Sequence, residues 1–173
     1  TKGRQFFGKP FLLEPWQKAI VANVFGWYGD DDGMRRYREI LIYVPRKNGK
    51  TELLAAINNY VMFCDGEHGA EIYTAASTED QAKIVWAVSK KMIENKAILR
   101  DNCKLYTKSI THDLSDSFYK FIPANAGATH GANAHCITVD ELHVCTEDHI
   151  EVLETSQGAR MQPLFFYTTT ADF

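Results

Sequence analysis

A short apolar run, followed by a tight loop and a helical pattern, constrains the fold of this chain more than any other feature. Residues 39–44 read Glu-Ile-Leu-Ile-Tyr-Val, a β-rich segment that predicts a strand buried on both faces of a parallel sheet. Pro45 ends the run, and from Thr51 to Cys64 apolar residues recur at helical spacing. Strand, loop and helix therefore follow one another, which is half of a βαβ unit.

The same alternation of strands and helices continues along the chain. A helix is predicted from Thr78 to about Asn95, where residues 77–80 supply a helix-capping start. The further predicted strands are 71–75, 118–122, 136–139 and 164–168. This order predicts an α/β fold with a mainly parallel sheet flanked by helices, in which the small-residue stretch 124–134 is a loop.

Length and composition fit one folded domain. The 173 residues predict a single core. Because the chain stops five residues after the last predicted strand, we expect it to be an N-terminal fragment of a longer protein. The 19 Lys and Arg against 22 Asp and Glu give a net charge of −3, which neither indicates nor excludes nucleic acid. No apolar run reaches the roughly 18 residues of a membrane span, so a membrane role is not supported.

The loop after the first strand carries the end of a Walker A motif. Residues 45–51 read Pro-Arg-Lys-Asn-Gly-Lys-Thr. Gly49 lets backbone amides close around phosphates at a helix N-terminus, where an anion is already favoured. Lys50 would contact the β- and γ-phosphates of ATP and the Thr51 hydroxyl would bind Mg²⁺. The loop is a variant, since Val44 stands where the first glycine of the motif would fall.

A second motif ends the strand at 136–139. Asp140 and Glu141 follow this strand directly, which resembles Walker B. The carboxyl ends of parallel strands meet at the crevice where nucleotides bind, so Asp140 would hold the magnesium shell and Glu141 would meet the attacking water. The two motifs together predict a P-loop NTPase of the ASCE, RecA-like type. The hydroxyl cluster of Thr168, Thr169 and Thr170 is a candidate for sensing the γ-phosphate and coupling its loss to movement.

At these motifs the sequence resembles the ATPase domain of a tailed-phage terminase large subunit. Residues 46–51 match that family's R-x-x-G-K-T loop, and Val139 to His143 match its D-E-L-H form of Walker B. The stretch from Thr168 to Ala171 resembles its coupling motif. The segment 13–17 is similar to the family's adenine-recognising segment, and residues 75–82 also resemble a stretch found in the family.

The resemblance implies a Mg-dependent ATPase that drives double-stranded viral DNA into a procapsid. It implies Gln17 as the adenine reader and Arg46, Lys47, Asn48, Gly49, Lys50 and Thr51 as the phosphate-binding set. Either Arg46 or Arg160 would stabilise the charge of the transferred phosphoryl group. The implied partners are a homo-oligomeric ring, the portal protein and the terminase small subunit, at the procapsid portal in the host cytoplasm. The family's C-terminal nuclease domain is expected to be absent from this chain.

Two other functions stay open on the sequence alone. A superfamily 2 helicase is the first, because Asp-Glu-Leu-His at 140–143 differs by one residue from a D-E-A-H box. The second is a DNA-binding module stabilised by a metal ion, with His143, Cys145 and His149 as ligands and His135 or Cys136 as the fourth. The spacing of these residues fits no common zinc pattern.

Overall fold

The computed structural model describes residues 10–123, 131–158 and 160–170. The chain divides into two compact units, residues 1–38 and residues 39–173. Residues 124–130 of the predicted loop and Ala171 of the predicted coupling motif lie outside the described residues. The expectation that the chain is one ATPase domain from the N-terminal part of a longer protein stays a prediction.

The first unit contains helix α1 (Pro15–Gly26). Glu14 and Gln17 form a capping box at its start, in which the Glu14 amide donates a 2.9 Å hydrogen bond to Gln17 Oε1. This bond satisfies a backbone donor that the helix itself leaves unpaired. After α1, an antiparallel bridge pairs Tyr28 with Arg35 around a turn that holds Gly33 at a φ of 64°.

The described part of the second unit contains a seven-stranded sheet with the order β1-β7-β6-β2-β5-β4-β3. Its strands are β1 (Glu39–Val44), β2 (Glu71–Ala76), β3 (Lys104–Leu105), β4 (Ser109–His112), β5 (Ser117–Pro123), β6 (Ala134–Val139) and β7 (Leu164–Thr170). Its helices are α2 (Lys50–Cys64), α3 (Glu79–Glu94), α4 (Ala97–Arg100) and α5 (Glu147–Thr155), with a 3-10 helix at Leu142–Val144.

The sheet is mostly parallel. The pairs β1–β7, β6–β7, β2–β6 and β2–β5 are all parallel, whereas β4 runs antiparallel to both β5 and β3. The parallel core confirms the predicted α/β class. The antiparallel hairpin of β3 and β4 was not predicted, because strands of two and four residues are too short to show an alternating pattern.

Helices cover both faces of the sheet. On one face, α2 and α3 pack against each other and against β2 and β5. On the other face, Leu153 and Ile150 of α5 pack against a cluster from the central strands that includes Ile137, Val139 and Phe165. Side chains alternate between the two faces along each strand, so every central strand contributes to both layers. No helix among the described residues is long and apolar enough to span a bilayer.

A network of polar side chains lies inside the layer between α2 and the sheet. The amide of Asn58 donates hydrogen bonds of 3.0 Å to Thr74, 3.1 Å to Tyr119 and 3.0 Å to Thr138. All four residues are fully buried. Buried polar groups destabilise a fold unless they are paired, so this network favours one alignment of α2 on β2, β5 and β6.

One prediction about the first strand is wrong. The sequence predicted a strand buried on both faces, but Leu41 and Tyr43 of β1 are 62% and 63% exposed. Ile42 between them is buried. In the described sheet β1 is an outer strand with β7 as its partner, so a continuous apolar run did not require burial on both faces here.

Candidate functional site

The loop between β1 and α2 has two residues with left-handed backbone. Lys47 has a φ of 65° and Gly49 has a φ of 79°, a region that glycine enters without steric cost but that is uncommon for other residues. The side-chain amide of Asn48 donates a 3.1 Å hydrogen bond to the Pro45 carbonyl, which closes the turn. The loop therefore leads directly into the first turn of α2, where unpaired amides and the helix dipole favour an anion.

Lys50 begins α2 and its side chain is only 8% exposed. Its ammonium donates hydrogen bonds of 2.8 Å to Thr170 Oγ1, 3.1 Å to the Thr169 carbonyl and 3.4 Å to the Val44 carbonyl. These acceptors lie at the carboxyl ends of β1 and β7, which are paired in register from Glu39 with Phe165 to Val44 with Thr170. The ammonium is thus held at the carboxyl edge of the sheet.

Asp140 and Glu141 follow β6 at the same edge. The Asp140 amide donates a 3.0 Å hydrogen bond to the Ala75 carbonyl of β2, which continues the strand pairing by one residue. Glu141 then adopts a φ of 54°, an uncommon value for a residue with a side chain. Such outliers persist where surrounding contacts enforce them, and they cluster at functional sites.

The carboxylate of Glu141 meets both Lys50 and the last strand. Its Oε1 lies 3.8 Å from the ammonium of Lys50, and its Oε2 accepts a 2.6 Å hydrogen bond from Thr170 Oγ1. Residues 50, 141 and 170 are separated by 91 and 29 positions in the chain. The structure therefore brings the two predicted motifs and the predicted coupling residues to one place.

Asp140 is anchored through one of its oxygens. Its Oδ1 accepts hydrogen bonds of 2.7 Å from Thr168 Oγ1 and 3.1 Å from the Glu141 amide. Burial raises the pKa of Asp140 above its usual value of 3.8, and the charge of Glu141 adds to the rise. The Thr168 hydrogen bond, the charge of Lys50 and the Glu141 amide oppose it.

Asp140 and Thr51, at this edge, carry oxygen atoms of the kind that Mg²⁺ prefers as ligands. Within the described ranges, Asp140 Oδ2 accepts no hydrogen bond, so this oxygen is directed to no other partner. Thr51 is half-buried in the first turn of α2 and supplies a hydroxyl. Carboxylate and hydroxyl oxygens together with phosphate oxygens are the ligands that Mg²⁺ prefers.

His143 is a site residue to which the sequence analysis assigned no chemical role. It lies in the 3-10 helix after Glu141, and its Nδ1 is 3.0 Å from Thr169 Oγ1 and 3.4 Å from Glu141 Oε2. The sequence placed it in the D-E-L-H motif and in the metal alternative. Its position three residues after Asp140 could have suggested a site role, but its contact with Thr169 depends on the pairing of β6 with β7.

The structure does not bring Arg160 to this edge. Its guanidinium donates to Glu67 Oε1 at 2.7 Å, to the Asn133 carbonyl at 3.0 Å, and to the carbonyls of His68 and Gly69. Asn133 precedes β6 and Gly69 precedes β2. Arg160 thus lies at the amino edge of the parallel strands, opposite Lys50 and Glu141.

Arg46 and Gln17 have different structural settings. Arg46 is exposed and lies within the phosphate loop itself. Gln17 belongs to the first unit, where it takes part in the capping box of α1. The adenine contact of Gln17 and the phosphate contacts of Arg46, Lys47 and Asn48 stay predictions.

The metal-stabilised DNA-binding alternative is wrong for the part of the chain that the structure describes. There, no group of three or more His, Cys, Asp and Glu side chains is arranged to hold a metal ion. His143 contacts Thr169 and Glu141, and His135 Nε2 lies 2.8 Å from Asp65 Oδ2. These histidines therefore take part in separate polar contacts.

A strand that leads through a glycine-lysine-threonine loop into a helix, beside a parallel strand that ends in two carboxylates, defines the fold class of the P-loop NTPases. The model of the terminase large subunit ATPase domain matches residues 15–173, so the chain belongs to this family. This match decides between the terminase and the helicase as the family of this chain.

Solved structures of phage terminases share the fold. The HK97 bacteriophage large terminase aligns with a TM-score of 0.82 at 25% identity, over 94% of this chain and 34% of that one. The large terminase ATPase domain of Thermus phage P74-26 gives 0.66 at 17% identity, over 99% and 70%. A large terminase from a thermophilic bacteriophage, solved in complex with ATP-gamma-S, gives 0.56 at 13% identity, over 76% and 32%.

The chain thus spans about a third of the length of the HK97 protein. No curated protein matches the chain.

Proposed function

We propose that this chain hydrolyses ATP with Mg²⁺ and that the hydrolysis drives double-stranded viral DNA into a procapsid. The observation that carries the proposal is the convergence of Lys50, Glu141 and Thr170, where the ammonium lies 3.8 Å from the carboxylate and the hydroxyl contacts both. A positioned cation stabilises charge on the phosphates and a carboxylate can activate the attacking water, and both assist phosphoryl transfer to water.

The phosphate loop would bind the triphosphate. Residues 46–51 would surround the β- and γ-phosphates, and the Lys50 ammonium would exchange its backbone carbonyl acceptors for phosphate oxygens. The large terminase of a thermophilic bacteriophage, which shares this fold, has been solved with ATP-gamma-S, and this supports a nucleotide ligand. Gln17 would contact the adenine edge.

The carboxylates would have separate roles. Thr51 and Asp140 would hold Mg²⁺, which neutralises charge that develops on the phosphoryl oxygens. Glu141 would orient and polarise the attacking water, because its carboxylate lies beside the phosphate-binding lysine. Thr168, Thr169 and Thr170 contact Asp140, His143 and Glu141 respectively, so β7 would respond when the γ-phosphate leaves.

Arg46 is the arginine that we assign to charge stabilisation. It lies in the phosphate loop, whereas the guanidinium of Arg160 is bonded to Glu67 and three backbone carbonyls at the opposite edge of the sheet. An arginine that acts on the phosphoryl group must reach its oxygens. Arg160 would have to break four hydrogen bonds to do so.

The wider assembly rests on the family. Terminase membership supports a homo-oligomeric ring that acts with the portal protein and the terminase small subunit, in the host cytoplasm at the procapsid portal. In such a ring each ATP site would be completed by a neighbour. We therefore expect the isolated chain to hydrolyse ATP slowly.

Two substitutions test the assigned chemistry. Lys50→Ala should abolish ATP binding, because it removes the charge that meets the phosphates. Glu141→Gln should keep ATP binding and lose hydrolysis, because it removes a group needed in the transition state. Binding of a fluorescent ATP analogue and single-turnover hydrolysis measure the two effects separately.

The exposed lysine Lys83 on α3 offers a matched control, and Lys83→Ala should change neither quantity. Equal loss of binding in the Lys50 and Glu141 variants would contradict the assigned roles. Full hydrolysis by Glu141→Gln would contradict the proposal itself.

A further inference from the structure

A groove lies between α3 and the hairpin of β3 and β4, apart from the residues of the proposed ATP site. This groove has a volume of about 740 Å³. Its lining residues are Trp86, Lys90, Leu105, Tyr106, Thr107, Lys108 and Ser109. The groove shares no residue with the set around Lys50 and Glu141, so the proposed ATPase does not explain its lining.

The lining of the groove is rich in hydrogen-bond donors and carries positive charge. Two of its seven residues are lysines, three others bear hydroxyl groups, and none is Asp or Glu. The chain as a whole has more acidic than basic residues, 22 against 19. The lining residues themselves offer ammonium and hydroxyl groups, which suit a phosphodiester because it offers only acceptors and a negative charge. The carboxylate of Glu79 borders them as the partner of Lys108.

Both lysines can release their present partners. Lys108 Nζ lies 2.5 Å from Glu79 Oε1, but both side chains are well exposed, and exposed ion pairs contribute little to stability. Lys90 Nζ lies over the ring of Trp86, 5.3 Å from its centroid, an arrangement that keeps the ammonium above the groove floor. The exposed side chain of Glu79 can turn into solvent, so a phosphate could take its place beside Lys108.

The shape favours a sugar-phosphate backbone over stacked bases. Trp86 forms the floor but is only 4% exposed, so its ring offers no free face to a base. Tyr106 is 51% exposed and is the aromatic residue of the groove that reaches solvent. Proteins that grip single strands stack successive bases on several aromatic side chains. One exposed ring does not provide this, so double-stranded DNA fits better.

The hairpin side of the groove lies at the same edge of the sheet as the proposed ATP site. β4 is antiparallel to β5 and pairs Ser109 with Lys120, so the turn at 106–108 lies at the carboxyl end of β5. β5, β2 and β6 are parallel, and β6 leads into Asp140. The helix α3 also starts at this edge, directly after β2.

From these observations we infer that the groove between α3 and the β3–β4 hairpin binds the phosphate backbone of double-stranded DNA, with Lys90 and Lys108 as its phosphate contacts. The identity of the partner as duplex DNA rests on the proposed function. The site itself rests on the groove's lining.

Charge removal tests the inference. Lys90→Gln with Lys108→Gln keeps the Cβ and Cγ methylene groups of each stem, and so preserves part of the packing over Trp86. The affinity for a fluorescently labelled duplex should fall about ten-fold at low salt. The slope of log affinity against log salt should shrink by about two, because each neutralised phosphate contributes roughly 0.9.

The double variant Lys18→Gln with Lys96→Gln removes the same charge from exposed lysines outside the groove, and it should leave the slope unchanged. ATP-gamma-S binding should be equal in all three proteins, which shows that each is folded. An unchanged slope in the groove variant, an equal loss in the control variant, or no duplex binding by the unsubstituted chain would overturn the inference.

Two further probes test the partner class. A single strand of the same length and polyglutamate should bind more weakly than the duplex, and a preference for either would also overturn the inference. The ATPase test on Lys50 and Glu141 uses no DNA. A failure of the groove proposal therefore does not affect the catalytic proposal, and a failure of the catalytic proposal does not affect the binding of duplex DNA in the groove.

Discussion

The hydroxyl of Thr170 donates a 2.6 Å hydrogen bond to the carboxylate of Glu141. The same oxygen accepts a 2.8 Å hydrogen bond from Lys50, so one hydroxyl stands between an ammonium and a carboxylate that are 3.8 Å apart. The last described residue of β7 therefore holds both charged groups of the proposed site in place.

Replacing this hydroxyl should impair the proposed ATPase. In Thr170→Val the ammonium and the carboxylate lose their shared partner and are free to pair directly, which withdraws both from the nucleotide. A hydrogen bond to a charged group contributes roughly 1.5–3 kcal/mol, so kcat/KM should fall about 10- to 100-fold. Steady-state ATPase rates measure the loss. Thr170→Ser keeps the hydroxyl and should stay within a few-fold of the unsubstituted chain, and equal loss in both would contradict this role.

His143 should couple β7 to Glu141. His143→Ala removes the contacts of Nδ1 with Thr169 and Glu141, whereas His143→Asn can place an amide nitrogen near the same position. We expect kcat to fall several-fold in the alanine variant and to recover in the asparagine variant, with KM little changed. A double-mutant cycle of His143→Ala and Thr169→Val in kcat should give a coupling energy of about 1 kcal/mol. Additive effects would show that the contact has no role.

Asp140 should make stability depend on pH. Its pKa is raised, chiefly by burial, so the folded state holds the proton more tightly than the unfolded state. The stabilising contribution is complete below 3.8 and is lost as pH rises through the folded-state pKa. Asp140→Asn, whose amide oxygen can still accept from Thr168, should therefore unfold at a higher Tm than the unsubstituted chain at pH 7.

The difference in Tm between Asp140→Asn and the unsubstituted chain should narrow as the pH falls towards 3.8. Thermal unfolding without nucleotide or metal measures it, and Asp30→Asn, at an exposed position in the first unit, is the control that should show no such trend. A lower Tm for Asp140→Asn at neutral pH would refute the explanation.

Loss of Arg160 should lower stability, whereas loss of Arg46 should lower kcat. Arg160→Ala leaves Glu67 and three carbonyls without their donor, and it should cost about 2–3 kcal/mol of unfolding free energy. Its kcat per folded molecule should be unchanged. Arg46→Ala should do the opposite in the assembled ring, with a large loss of kcat and little change in stability. Urea unfolding and ATPase rates decide, and a catalytic defect confined to the Arg160 variant would reverse the assignment.

The sequence could predict the elements that have long periodic patterns. The strand at 39–44 and the helix after it were predicted within one residue, since Leu53, Leu54 and Ile57 recur at helical spacing and Pro45 marks the strand end. The strand before Asp140 was also predicted, because residues 136–139 are uniformly apolar or β-branched, but it starts two residues earlier, at Ala134. Helix α2 carries Lys50, and β6 leads into Glu141. The convergence of the two residues was therefore predicted from the parallel pairing of the strands.

Contacts between distant segments could not be predicted in the same way. Arg160 precedes an apolar strand and looks like a site residue, but which edge of the sheet it occupies depends on the direction of β7. The contact of His143 with Thr169, two residues 26 positions apart in the chain, depends on the register between β6 and β7. The buried hydrogen-bond network of Asn58 could not be predicted, since an asparagine in a helix is usually exposed.

Asn58 lies eight residues after Lys50 on the same helix, which corresponds to roughly 12 Å along its axis. Its amide is saturated by partners on β2, β5 and β6. If the helix slid or rotated by one position, the amide of Asn58 would leave these hydroxyls, and both sides would lose their buried hydrogen-bond partners. The middle of α2 thus fixes the position of the helix on the sheet, and with it the position of the Lys50 ammonium at the proposed phosphate site.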